Sequence, residues 1–216
     1  MQLIGMLDSP YVRRVAISLQ LLGLPFRHRS ISVFRGIDAF AAINPMVKAP
    51  TLVCDDGTVL MDSTLILDHA ESLVPPARRL MPGDADARRH ALRVLSVALA
   101  GCEKAVQIVY ERARPPERRY EPWQARIRGQ LVAACAALED EVQRTPPRLD
   151  PIDQAGVTTA VVWTFMRALV PDELDVARHP TLEAHTARAE ALPAFLAAPH
   201  GEAEMPEDAS TRRTAS

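Results

Sequence analysis

The segment running from Asn44 to Ser63 restricts the fold more than any other part of this chain. Asn44-Pro45 and Lys48 lead into Ala49-Pro50. A short apolar run follows, Thr51-Leu52-Val53-Cys54, then Asp56-Gly57, a second run, Val59-Leu60-Met61, and Asp62-Ser63 ahead of a helical pattern. An Asp-Gly pair between two apolar runs is a strong hairpin signal, because both central turn positions want positive φ. The segment therefore reads as strand, turn, strand, helix. Proline cannot donate to a ladder from inside a strand, but it fits at a strand's first residue, where the preceding bond can be cis. A backbone bent that way leaves the amide and carbonyl of Ala49 outside the sheet, where an extended peptide can pair as an added strand.

The pattern on either side of this hairpin divides the chain. Residues 1–73 alternate short strands with helices: a strand over 3–6, a helix over 11–22, a strand over 26–32, a short helix over 37–42, the hairpin, and a helix over 63–73. A strand-helix-strand unit followed by an antiparallel hairpin and a helix predicts a mixed four-stranded sheet with helices on both faces. Residues 74–85, with Pro75, Pro76, Pro82 and Gly83, break helix and strand alike and form the expected linker. Residues 86–199 are alanine-rich and helical. Leu92, Leu95, Leu99 and Cys102 share one helix face, as do Ile127, Leu131, Ala134, Cys135, Leu138 and Val142. The run Ala160-Val161-Val162-Trp163-Thr164-Phe165-Met166 is apolar nearly all round, which predicts a central, buried helix. Residues 200–216 have the composition of a disordered tail.

Composition excludes several classes of function. At 216 residues with 48% apolar side chains, the chain can build a real core. A net charge of −2, with arginines interleaved among acids, argues against a nucleic-acid partner. No apolar stretch is long enough to cross a bilayer, and Met1-Gln2-Leu3-Ile4 does not open a secretory signal, so a cytoplasmic location is expected. The cysteines Cys54, Cys102 and Cys135 form no Cys-x-x-Cys and read as small buried hydrophobes. The six histidines show no ligand spacing, so no metal is expected.

Three hydroxyls have capping readings that need no ligand. Ser9 precedes Pro10, a favoured first helical residue, and serine is a preferred N-cap. Ser63 reads as the cap of the next helix. Thr158, in Gly156-Val157-Thr158-Thr159-Ala160-Val161, can cap a later one, although Val161 cannot return the second bond of a capping box.

The order of these pieces resembles a thioredoxin-like domain followed by an all-helical domain, as in the glutathione transferase family. The resemblance rests on Lys48-Ala49-Pro50, on Asp62-Ser63, on Ser9-Pro10-Tyr11-Val12-Arg13-Arg14-Val15, and on Pro180 to Pro193-Ala194-Phe195 as a last long helix. It implies that glutathione, as co-substrate, binds in extended form along Ala49-Pro50. The γ-glutamyl carboxylate would meet the helix end at Ser63, Asp62 the α-ammonium, and Lys48 the glycyl carboxylate. Ser9 would donate to the glutathione sulfur. Tyr11 is a rival donor, but it falls inside the helix and ranks as a contact or packing residue. Arg14 matches a basic position of the family's first helix, with a surface or interdomain salt bridge as the plainer account. Val47 stands where many relatives have glycine. Serine in place of cysteine at position 9 removes a mixed-disulfide route and points to conjugation or isomerisation.

A small hydrophobic electrophile would be held near Val106, Tyr110, Trp163 and Met166, of which Trp163 and Met166 have a competing core reading. The resemblance also implies a homodimer. Two other functions stay open: a glutathione-dependent isomerase or dehalogenase, and a non-catalytic relative that keeps the fold for binding or regulation.

Overall fold

A computed structural model of the chain describes residues 1–205. It divides into two units, one formed by Met1–Leu80 with the segment from Ala191 onward, the other by Met81–Glu190.

The first unit holds β1 (Gln2–Ile4), α1 (Pro10–Leu21), β2 (Arg27–Arg29), α2 (Ile37–Ala41), β3 (Thr51–Val53), β4 (Val59–Met61) and α3 (Ser63–Ser72). Its strands lie in the order β2-β1-β3-β4. β1 runs parallel to β2 and antiparallel to β3, and the β3–β4 pair is the expected hairpin. This is the mixed sheet of a thioredoxin-like unit. The strands are three residues long, shorter than the apolar runs suggest, because Met6 and Leu7 are buried in the loop beyond β1 and do not extend the ladder. Leu3, Ile4, Val12, Val15, Ala16, Leu19, Leu52, Ile66 and Leu67 close the core where α1 and α3 pack together against the strands.

The second unit is helical, with α4 (Ala85–Arg112), α5 (Glu121–Arg144), α6 (Gln154–Leu169) and α7 (Pro180–Glu190). The buried face of α4 is Ala91, Val94, Leu95, Ala98, Cys102 and Ala105, whereas Leu92 is largely exposed and Leu99 half-buried. Small residues displace Leu92 and Leu99, though not Leu95, from this seam because the helices approach closely. A Cβ added at Gly101 would lie 3.0 Å from Met166 Cε and 3.1 Å from Ala134 Cβ. The seam expected for α5 is the one observed at Ile127, Leu131, Cys135, Leu138 and Val142, and α6 is buried on nearly every side.

Three sequence expectations need correction. The cap of α6 is Asp153, whose carboxylate accepts the Gly156 amide at 2.8 Å, so Thr158 lies inside the helix and is buried. The last helix is not continuous: α7 stops at Glu190, and Pro193 opens α8 (Pro193–Leu196), since a proline there lacks the amide that would carry the helix on. This short helix belongs to the first unit. Arg13 Nε donates to the Ala198 carbonyl at 2.7 Å, its guanidinium sits 5.6 Å from the Phe195 ring centre, and Gln20 Nε2 donates to the Ala194 carbonyl. Nor is the tail free as far as it is described. The Met205 amide donates to His28 Nδ1 at 3.1 Å, Ser30 bonds Glu202 and Glu204, and Met205 is buried. The rest of the expected tail, residues 206–216, lies outside the described residues. No helix of the described residues is long and apolar enough to cross a membrane.

Candidate functional site

Strand register decides which polar residues meet. Ile4 pairs with Thr51, Thr51 pairs with Met61, and Ile4 also pairs with Arg29. The segments leaving that row, Gly5–Ser9, Ala49-Pro50 and Asp62-Ser63, therefore emerge together at one end of the sheet. Gly5 makes the approach close. It has φ +132°, and a Cβ there would fall 2.6 Å from Val12 Cγ2 and 3.1 Å from Ala49 Cβ. Only glycine tolerates both that backbone and that distance.

Ser9 is the N-cap of α1, with Pro10 as the first helical residue. Its Oγ accepts the Val12 amide at 3.4 Å, a long bond that leaves the hydroxyl proton for another acceptor. Beside it the Asp8 carboxyl is pushed above the usual carboxylate range by burial, against the opposing effects of the Ser9 backbone and His200. Tyr11 is half-buried on α1.

The Ala49-Pro50 bond is cis, and Ala49 is half-buried and precedes the β3 ladder. Two side chains not foreseen from the sequence hold this loop. Buried Asn44 donates through Nδ2 to Thr51 Oγ1 at 2.8 Å and accepts the Met46 amide, while Thr51 Oγ1 donates to the Lys48 carbonyl at 2.7 Å. The sequence placed Asn44-Pro45 just ahead of Ala49-Pro50 without revealing the partner. Val47 lies at φ +47°, which explains why glycine would suit the place. Lys48 is exposed.

Capping roles at the third segment are exchanged relative to expectation. Asp62 is the N-cap of α3, accepting the amides of Thr64 at 2.8 Å and Leu65 at 3.4 Å on one carboxylate oxygen. Ser63 is the first helical residue, buried, and its Oγ accepts from Arg14 Nη1 at 3.0 Å. Aspartate reaches its second and third following amides from a non-helical backbone, so the serine behind it is released from capping. Arg14 is buried, and the two hydroxyls it meets, Ser63 and Thr64, belong to the first unit. These two lie about 50 residues away in sequence, beyond the reach of any local motif.

The four positions expected to meet an electrophile separate into two pairs. Trp163 and Met166 are core residues of the helical unit. The indole N–H of Trp163 donates to Glu183, its ring lies 5.2 Å from His179, and Met166 Sδ accepts the Cys135 thiol at 3.9 Å. A run apolar nearly all round marked this helix as buried, and burial leaves these two side chains no surface to present. Val106 is half-buried and Tyr110 is exposed on α4.

Among the described residues no group of His, Cys, Asp or Glu side chains gathers as a metal site. Cys54 Sγ lies 3.8 Å from His69 Nε2, but burial and then Asp56 and Asp55 push its thiol up, which disfavours a thiolate. Burial alone pushes Cys135 up to about 12.

Comparison with known proteins agrees with this geometry. Residues 3–78 match the family model described as glutathione S-transferase, N-terminal domain. A glutathione S-transferase from Methylobacterium radiotolerans, solved in complex with glutathione sulfonate, matches with a TM-score of 0.82 and 29% identity, covering 90% of this chain and 92% of its own. A glutathione transferase family member from Pseudomonas fluorescens Pf-5, with bound glutathione, gives a TM-score of 0.79 and 28% identity over 91% and 97%. The uncharacterized GST-like protein YibF of Escherichia coli (strain K12) is 26% identical over 173 residues, 79% of this chain and 85% of its own length. Residues 3–78 thus match a glutathione S-transferase N-terminal domain, and the chain as a whole shares its fold with solved glutathione transferases.

Proposed function

We propose that this chain is a glutathione transferase that activates the glutathione thiol for attack on a small hydrophobic electrophile. The observation that carries the reading is the shared register of Ile4, Thr51 and Met61, which brings Ser9, Ala49-Pro50 and Asp62-Ser63 to one end of the sheet. Relatives of known structure with glutathione or glutathione sulfonate bound support the choice of ligand.

In this reading the tripeptide lies extended, its backbone paired with the amide and carbonyl of Ala49. The γ-glutamyl carboxylate meets Ser63 at the amide end of α3, where the helix favours an anion. Asp62 uses one oxygen as a cap, so the other is available to the α-ammonium. Lys48 serves the glycyl carboxylate. Glutathione's thiol has an ordinary pKa of about 8.5. Ser9 donates to the thiolate while accepting from Val12, and with the positive end of α1 it favours the charged nucleophile. The thiolate then forms a bond to the electrophile's carbon as the leaving group departs, or adds to an activated double bond and a proton is taken up. Tyr11, on α1, is assigned to the electrophile. The working form is a cytoplasmic homodimer, which sedimentation and cell fractionation test.

Titration of bound glutathione by ultraviolet absorbance tests the thiol chemistry. A hydrogen bond to a charged group contributes about 1.5–3 kcal/mol. At about 1.4 kcal/mol per pKa unit, Ser9→Ala should raise the bound thiol's pKa by roughly one to two units. An unchanged pKa removes Ser9 from the mechanism. Glutathione regenerated during turnover, in place of a consumed conjugate, replaces transfer by isomerisation. No retention on immobilised glutathione ends the enzyme reading.

A further inference from the structure

The geometry points to Arg14 as the residue that orients the hydroxyls at the start of α3 toward a bound carboxylate. This inference rests on the glutathione reading above and adds to it a named positioning residue for the γ-glutamyl end. Arg14 is 1% exposed, and its Nη1 lies 3.0 Å from Ser63 Oγ and 3.3 Å from Thr64 Oγ1. A guanidinium carries donors and no acceptor. Both hydroxyls must therefore accept from it, and neither can turn its own proton toward Arg14. Asp62 meanwhile takes the amides of Thr64 and Leu65 through one oxygen, which fixes the first turn without using either hydroxyl.

Two adjacent O–H groups are thus set as outward donors at a helix end that already favours negative charge. Their orientation comes from a residue on α1 that need not touch the ligand. A buried positive charge beneath the turn acts in the same direction as the helix. Lysine would keep the charge but not the arrangement, because an ammonium is a point donor on a flexible stem while a guanidinium is a planar fork. Ser63 is buried and Thr64 is exposed, so water competes less at Ser63 and the larger share of the effect should pass through it.

Calorimetric titration with glutathione and with cysteinylglycine, which lacks the γ-glutamyl group, separates orientation from general damage. Arg14→Lys is expected to weaken glutathione binding about tenfold, the equivalent of about 1.4 kcal/mol, and to leave cysteinylglycine within about twofold. In a Ser63→Ala, Thr64→Val background the same substitution should lose most of its effect, since the hydroxyls it acts through are gone. Equal weakening of both ligands, unchanged glutathione affinity in a folded Arg14→Lys protein, or a full effect persisting in the double-mutant background each overturns the inference. Should Arg14→Lys fail to fold, Ser63→Ala, Thr64→Val alone decides: selective loss of glutathione affinity supports the inference, and unchanged affinity overturns it. A wild-type protein that takes no glutathione at millimolar concentration overturns the functional reading as well, whereas normal glutathione binding with indifferent variants overturns this inference alone.

Discussion

Replacing Asp62 should separate two opposed contributions at a single position. Its carboxylate caps α3 through Thr64 and Leu65, yet its backbone sits at φ +71°, ψ 121°, a region that side-chain-bearing residues rarely adopt. Loss of an N-cap aspartate to alanine costs about 1 kcal/mol, and loss to glycine only about a few tenths. A non-glycine residue held in such a region costs of order 1–3 kcal/mol, which glycine removes and alanine retains. Asp62→Gly should therefore be more stable than Asp62→Ala by about 2 kcal/mol, while Asp62→Asn, which keeps an acceptor, stays near the wild type. For a chain of this size, that gap corresponds to about 4–8 °C in melting temperature. Thermal and urea unfolding of the three variants provide the measurement. Glutathione binding should fall in all of them, because each removes the carboxylate assigned to the α-ammonium, so the order of stability must differ from the order of affinity. Glycine and alanine variants within about 0.5 kcal/mol of each other would refute the reasoning, since neither the cap nor the strain could then have the size assigned to it.

Docking of the C-terminal segment should depend on pH through His28. With Nε2 at 2.7 Å from the Gly5 carbonyl, the ring donates there and accepts the Met205 amide on Nδ1, an arrangement that requires the neutral form. Burial lowers the His28 pKa below its usual value of 6.5, opposed by the Gly5 bond and by Glu204. The unfolded state therefore binds the proton first. The stabilisation is complete above about pH 6.5 and is lost as pH falls from there through the folded value. Hydrogen exchange at Met205, corrected for intrinsic rates, should lose protection over that window, and pH-independent protection would contradict the assignment. A second test concerns buried Glu139 on α5, whose two carboxylate oxygens accept the amides of Thr181 and Leu182 at the start of α7. Glu139→Gln turns a donor toward an amide and should cost about 1–3 kcal/mol, measured as a lowered urea midpoint; a change below about 0.5 kcal/mol would show that this helix end is satisfied in another way.

Much of the scaffold was legible because its signals are local. Asp56-Gly57 between apolar runs placed the β3–β4 hairpin, Ser9-Pro10 placed the start of α1, and the apolar run through Trp163 marked α6 as buried. Misreadings arose where two neighbours were chemically equivalent or where packing overrode size. Asp62 and Ser63 are both good caps, and only the backbone path into α3 assigned the role to aspartate. Leu92 looked like a core residue beside Ala91, but closely packed helices select the alanine. The tail's composition gave no hint of His28 and Ser30, which engage it from the β2 region.

For the candidate site the division is sharper. The sequence by itself determined that an Ala-Pro pair opens a strand, that serine caps a helix starting at Pro10, and that an acidic residue and a serine begin the next helix. Each of these depends on the φ and ψ preferences of a few adjacent residues. Tertiary structure alone decided that the three occur at one end of a sheet, that Val12 and Ala49 both close in on Gly5, and that Arg14 reaches Ser63 and Thr64. Those relations depend on strand register and helix packing, which join residues far apart in the chain and leave no trace in the spacing of their letters.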